Sequence, residues 1–214
     1  MPRIDLHTHS AASPDGSLKA EDYKHILDSS TLDFIAVTDH DRIDFAVQLQ
    51  AELGDRIIVG EEISALEGEI IGLYLQEAVP AGLSARETVE RIHAQNGLVY
   101  IPHPFETRRE GIPLRVLDSI AEEVDIIETC NGRTLQDRSG QARQWSADHV
   151  VPGAASSDSH GKRGWGNTHS IIAEAPTADT LVTLLHDASH STRSTGFAGR
   201  LYPKLNRLRG HHHA

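Results

Sequence analysis

Five short runs of the chain bring imidazoles and carboxylates together: Asp5-Leu6-His7-Thr8-His9, Thr38-Asp39-His40-Asp41, Gly60-Glu61-Glu62-Ile63-Ser64, Ile101-Pro102-His103-Pro104-Phe105 and Ser157-Asp158-Ser159-His160. These residue types ligate divalent transition metals. His7 and His9, one residue apart after the apolar stretch Ile4–Leu6, project from the same side of a strand end and can grip one ion from two directions. A catalytic zinc takes about three protein ligands and one water, so the five runs hold more donors than one ion needs. Two or three ions sharing a carboxylate would use them all, because a bridging carboxylate offsets the repulsion between neighbouring cations. Ions so placed lower the pKa of a shared water toward neutrality and make hydroxide available as a nucleophile.

Such donors must be positioned by a scaffold. Strands are expected over residues 3–6, 34–38, 57–61, 70–75, 98–101, 124–128, 152–155 and 170–173, and helices over 19–29, 43–53, 84–95, 114–121, 135–148 and 177–187. Ser84 with Glu87 reads as a capping box, and Asn96-Gly97 as the stop of the same helix. Leu181, Leu184 and Leu185 recur at helical spacing. Strands alternating with helices imply a parallel sheet, and polar residues just past several strands are where a (β/α) barrel keeps its chemistry. The expected fold is therefore α/β, a small distorted (β/α)7-type barrel, with an open doubly wound sheet as the competitor. Residues 1–195 are expected to form one domain. Residues 196–214 read as a basic C-terminal tail, with Arg200, Lys204, Arg207 and Arg209.

The bulk composition narrows the function. A chain of 214 residues suits one domain with a sizeable core. A net charge of −11 argues against a broadly basic nucleic-acid surface, although bound metals would still allow an anionic substrate. The single cysteine, Cys130, rules out an internal disulfide framework and makes a reducing cytoplasm the expected location. No stretch has the apolar length of a membrane span, and no protein partner is evident. His211 to His213 are set aside as a native tail or a remnant.

The ordered set HxH, TDH, a glutamate after the third strand, HP and DxH resembles the polymerase-and-histidinol-phosphatase (PHP) family from His7 to about His160. Within that family the GxEIS and HPF motifs are most similar to the small bacterial metal-dependent phosphoesterases. The resemblance implies a distorted barrel with a centre of two or three divalent ions, manganese, zinc or iron. It implies that His7, His9, Glu62 and Asp158 hold one ion, that Glu62 bridges to a second held by His103, and that His40, His160 and Asp15 hold a third. Glu62 and Asp158 would thus carry the catalytic metals and their hydroxide. The second ion's remaining ligand is left open among Cys130, Asn131 and a water. Glu61 competes with Glu62 for the bridge, and the GxEIS alignment favours Glu62. Asp5, Asp39 and Asp41 read either as capping residues or as groups that orient imidazoles. His25, His93, His149, His186 and His190 read as surface residues, and His169 is left out of the site.

The implied activity is hydrolysis of a small phosphate ester or nucleotide, with a short oligonucleotide as a further substrate class, by attack of a metal-bridging hydroxide. Arginines suit phosphate recognition, since one guanidinium donates two hydrogen bonds to a phosphate. Arg133 is the first candidate by resemblance to NGR-type members and Arg108 the next, with Asn131 beside them; Arg109 and Lys162-Arg163 are also near the mouth in sequence. The interval between Leu75 and the HPF motif has room for only one helix, where longer nucleotide-acting relatives carry a helical subdomain. Two alternatives remain: a metal-dependent amidohydrolase, and a non-catalytic metal-binding module. Many amidohydrolases need a strand-end lysine, and none of Lys19, Lys24, Lys162 and Lys204 ends a central strand.

Overall fold

Short runs rich in isoleucine and valine, buried on both faces, build the centre of the molecule. The computed structural model describes residues 1–107, 109–134, 139–193 and 196–210. In chain order the elements are β1 (Arg3–Asp5), α1 (Ala20–Asp28), β2 (Phe34–Val37), α2 (Asp44–Leu53), β3 (Ile57–Ala65), β4 (Gly68–Leu73), α3 (Ala85–His93) and β5 (Leu98–Ile101). They continue with α4 (Leu114–Ser119), β6 (Ile126–Asn131), α5 (Ser139–His149), β7 (Gly153–Ser156), β8 (Thr168–Ile171), α6 (Leu181–His186), β9 (Ser189–Thr192) and α7 (Gly196–Gly210). Among the described residues no helix is long and apolar enough to cross a membrane.

The strands form one sheet in the order β7-β6-β5-β4-β3-β2-β1-β8-β9. It curls until its β7 side meets β1: Thr8 and Ser159 pair in parallel just past the two strands, and Ala155 donates its N–H to Ser170 Oγ at 2.9 Å. The result is a single α/β domain shaped as a nearly closed, distorted (β/α)7 barrel. Each of β1 to β7 sends at least one apolar side chain inward, Ile4, Ala36, Ile58, Ile71 with Leu73, Tyr100, Ile126 and Ala154, and these pack as one cluster that fills the barrel. The alternate residues, such as Ile35, Val59 and Ile127, pack outward beneath the helices. Helix α3 starts with the capping box expected from sequence: Glu87 donates its N–H to Ser84 Oγ at 3.3 Å and Ser84 donates its own to Glu87 Oε2 at 3.1 Å.

The sheet departs from the parallel arrangement expected. Strands β1/β2/β3 and β5/β6/β7 pair in parallel, whereas β4 runs antiparallel to both β3 and β5, and β8 runs antiparallel to β1 and β9. Only Leu66 and Glu67 separate β3 from β4, too few for a crossover helix. Gly68 makes that turn at φ +145°, and a Cβ there would lie 2.8 Å from the Glu110 carbonyl oxygen. Consequently β3 continues through Glu61 and Glu62 to Ala65 instead of stopping at residue 61. Strand β6 likewise runs on to Asn131, carried by pairing with Ser156 of β7. The basic segment beyond residue 195 is helical over Gly196–Gly210.

Candidate metal centre

At the mouth of the barrel five imidazoles and four carboxylates converge. Four groups of donors have ligand atoms within 4.8 Å of one another: His9, Asp15, His40 and His160; His7, His103 and Asp158; His7, His9 and Glu62; and His40, Glu62 and Glu69. Glu62 lies at their centre. Its Oε1 is 3.4 Å from His7 Nε2 and 3.0 Å from His103 Nε2, while its Oε2 is 3.1 Å from His9 Nε2 and 3.4 Å from His40 Nδ1. The His7 and His9 Nε2 atoms face each other at 3.1 Å. One carboxylate thus faces two imidazoles on each of its oxygens.

The local backbone sets this arrangement. His9 donates its N–H to the Ser159 carbonyl at 2.9 Å, which ties the HxH run to the strand end carrying Asp158. Asp158 and His103 adopt left-handed backbone, with φ 52° and 27°, a strain common where a side chain is aimed at a site. Gly16 lets the loop after His9 fold back, since a Cβ there would lie 1.9 Å from the Ser10 carbonyl oxygen. The preceding Asp15 then places Oδ1 3.4 Å from His160 Nε2 and 3.7 Å from His40 Nε2.

Asp158 joins the cluster to two guanidiniums. Its Oδ1 is 3.8 Å and 3.7 Å from the Nε2 atoms of His7 and His9 and accepts from Arg133 Nη1 at 2.7 Å, and its Oδ2 accepts from Arg109 Nη1. Arg109 is held in turn by both oxygens of Glu106, at 2.8 Å and 2.7 Å. Asn131 accepts from Arg109 Nη1 at 3.1 Å through Oδ1 and donates through Nδ2 to Asp158 Oδ2 at 3.1 Å. Both arginines line a pocket of about 500 Å³ together with the donors facing it.

Beneath the donors, Glu128 fixes two of the imidazole-bearing segments. Its Oε1 lies 3.3 Å from His7 Nδ1 and accepts from Tyr100 Oη at 2.9 Å, and its Oε2 accepts from the His103 N–H at 2.6 Å and from Asn131 Nδ2 at 2.9 Å. A carboxylate on the far nitrogen of a metal-binding histidine sets its tautomer and leaves Nε2 as the lone-pair donor. The aspartates considered for such a role do otherwise. Asp5 accepts the Ser157 N–H at 2.9 Å, Asp39 the Ser10 N–H at 2.7 Å, and Asp41 the Ser64 N–H at 2.7 Å, so each pins backbone at the mouth.

The electrostatics are those of a cation site. Burial favours neutral carboxyls, yet Arg133, His7 and Arg109 hold Asp158 well below the usual carboxylate range, and His7 and His40 do the same for Glu62. Burial and the Glu62 charge push Glu69 well above that range. On His7 burial is outweighed by the Glu62 and Asp158 charges, which raise it. His9 is lowered to about 3 by burial and the adjacent His160, so its imidazole is neutral and its lone pair is available. Carboxylates and imidazoles gathered at this spacing fit a divalent metal by donor chemistry.

All eight residues expected to ligate metal, His7, His9, Asp15, His40, Glu62, His103, Asp158 and His160, meet in this cluster. Glu61 does not: it faces away along β3, its Oε2 accepting the Val79 N–H at 2.8 Å. Of the candidates for the second ion's remaining ligand, Cys130 belongs to none of the four groups and Asn131 is engaged with Asp158 and Glu128. Glu69, not anticipated from sequence, also faces the cluster, 3.5 Å from His103 Nε2 and 3.6 Å from His40 Nδ1. Arg133 lines the pocket, whereas Arg108 lies outside the described residues, and the next residue, Arg109, occupies the site. His25, His93, His149, His186 and His190 are exposed, and His169 bonds the Gly166 carbonyl at 2.9 Å, away from the cluster.

Known proteins extend these observations. No family model matches the chain. The uncharacterized protein MJ1587 of Methanocaldococcus jannaschii is 33% identical over 137 residues, covering 58% of this chain and 80% of that protein. Among solved structures, a two-domain Bacteroides vulgatus protein containing a predicted PHP-like metal-dependent phosphoesterase superposes with a TM-score of 0.74 at 16% identity, over 90% of this chain. This chain spans 65% of that two-domain protein. An amidohydrolase from Chromobacterium violaceum, solved with bound sulfate, has a TM-score of 0.60 at 18% identity, over 73% of this chain and 87% of its own.

Proposed function

The chain belongs to the same family as MJ1587 and has the fold of the PHP-like metal-dependent phosphoesterases, and from its site we propose that it hydrolyses a small phosphate ester. One observation carries this: Asp158 faces the imidazoles of the metal-donor cluster on one oxygen while binding the guanidiniums of Arg133 and Arg109, at the wall of one pocket. Planar guanidiniums with paired N–H donors match the charge and spacing of phosphoryl oxygens, which a neutral amide does not offer.

Two or three divalent ions held by His7, His9, Asp15, His40, Glu62, Glu69, His103, Asp158 and His160 would acidify a water and neutralise charge building on the phosphoryl group. The chain's own part is positioning. Glu128 fixes the His7 ring and the His103 backbone, so that Nε2 of each faces Glu62. Asp158 and Glu106 hold Arg109 at the pocket wall, and Asp158 aims Arg133 there, where its guanidinium would clamp a phosphoryl oxygen and orient the ester for in-line attack. Neutral His9 supplies its lone pair without having to lose a proton.

An amidohydrolase is the second possibility, favoured by the Chromobacterium violaceum neighbour. No lysine ends a central strand: Lys19 precedes α1, Lys204 lies on α7, Lys24 pairs with Asp28 and Lys162 with Asp22. The deciding experiment assays the manganese- or zinc-loaded protein on bis(p-nitrophenyl) phosphate, p-nitrophenyl phosphate, sugar phosphates and nucleotides, with and without chelator. Turnover of one or more esters that chelator abolishes is expected. A fully metallated protein inactive on every phosphoester refutes the proposal.

A further inference from the structure

The C-terminal helix α7 is seated at the mouth of the barrel and brings cations to the pocket that Arg109 and Arg133 also line. Three contacts seat it. The Tyr202 ring lies against Gly161, where a Cβ would come within 2.6 Å of three ring carbons. Asn206, nearly buried, donates through Nδ2 to the Asp15 carbonyl at 2.8 Å and to the His160 carbonyl at 3.2 Å, so the helix is bonded to the backbone of two metal-donor residues. Arg207 donates to Asp15 Oδ2 at 2.8 Å while Asp15 Oδ1 faces His40 and His160. One carboxylate therefore serves the donor cluster with one oxygen and holds α7 with the other.

Lys204 and Arg207, one helical turn apart, both line the pocket, and both are exposed, with 64% of the Arg207 side chain accessible. Their place is on the rim. The two inner arginines are nearly buried beside Asp158, with 19% and 14% of their side chains accessible. The pocket thus has two cationic stations, an inner pair against the metal donors and an outer pair on α7. A chain of net charge −11 places both on the wall of one cavity.

We propose that Lys204 and Arg207 bind a second anionic group of the substrate, so that the ester this site accepts is a small molecule carrying two anionic groups, one held among the donors and one at the rim. This rests on the phosphoester chemistry proposed above and narrows its substrate class. Contacts at the rim, remote from the reacting group, would strengthen ground-state and transition-state binding alike and so show in KM.

The test compares fructose 1,6-bisphosphate with fructose 6-phosphate, and ADP with AMP, on the manganese-loaded full chain. Wild type is expected to favour the doubly anionic member of one or both pairs in kcat/KM. Lys204→Glu and Arg207→Ala are each expected to cut that preference about tenfold, through KM rather than kcat. Tyr202→Ala, which unseats the helix without removing a charge, should act in the same direction. Equilibrium titration of the same compounds reads the preference without turnover, so absence of phosphoesterase activity and absence of a rim site are told apart. A wild type that binds both members of each pair equally overturns the proposal. So do variants that weaken the singly and doubly anionic members to the same extent.

Discussion

Replacing Glu128 by glutamine tests whether the geometry of the donors is imposed from below. The change conserves shape but turns one acceptor oxygen into an NH2 donor, in a pocket where four groups bond the two oxygens. The Oε2 side faces two groups that can only donate, the His103 N–H and Asn131 Nδ2, so the NH2 must take the Oε1 side. Tyr100 can adapt there, because its hydroxyl also has Ser156 Oγ at 2.9 Å. His7 adapts only by accepting at Nδ1, which moves its proton to Nε2, the nitrogen 3.4 Å from Glu62 that faces the other donors. A protonated Nε2 cannot ligate. Partners of metal-bound histidines are worth roughly 10–100-fold in metal affinity, or about 1.4–2.8 kcal/mol, and that loss is expected here. Competition against a chromogenic chelator, with zinc and with manganese, measures it directly. Urea unfolding in chelator should show a further loss of about 1–3 kcal/mol from the mispaired buried donors. Metal affinity within twofold of wild type would refute the positioning role.

Other perturbations address the mouth and the ions. Burial pushes Glu61 up to about 7, above its ordinary 4.5, so the native state holds the extra proton between those values. Its contribution to stability is therefore complete below about pH 4.5 and is lost as pH rises through about 7. Glu61→Gln should match wild type in chelator at pH 5 and exceed it at pH 8 by on the order of 2 kcal/mol, read by urea unfolding; a gap that closes with rising pH would contradict the sign. Gly16→Ala should displace the Asp15 loop, because its Cβ would sit 1.9 Å from the Ser10 carbonyl oxygen. Lost stability of about 1–3 kcal/mol and about one fewer bound ion are expected, by calorimetry and elemental analysis. Saturating zinc or manganese should raise Tm, since ions bind the assembled cluster and not the unfolded chain, and chelator should reverse the rise.

The donors were legible in the sequence because most lie at C-terminal strand ends, as the pattern of apolar runs followed by histidine or acid requires. Glu69 escaped because β4 runs antiparallel: its first residues, not its last, stand at the mouth. The same short turn at Gly68 that reverses β4 also replaced the expected parallel sheet. Glu128 ends the strand expected over 124–128 and so fits the strand-end pattern, but its partners Tyr100 and His103 come from another segment, and its role shows only in the fold. Arg109 was not singled out by its sequence context, and its place in the site follows from its bonds to Glu106 and Asp158. Helix α7 carries a proline at position 203 and a basic surface, which weaken a helical signal that its contacts with Gly161, Asp15 and His160 supply.

Anomalous scattering from crystals of the protein soaked with manganese and phosphate tests the central claim most directly. Peaks for two or more ions on either side of Glu62, among His7, His9, His40, His103, Asp158 and His160, with phosphate oxygens within hydrogen-bonding distance of Arg109 or Arg133, are the expected result. A fully loaded crystal with its ions elsewhere, or with phosphate bound away from both the ions and the arginines, would contradict it.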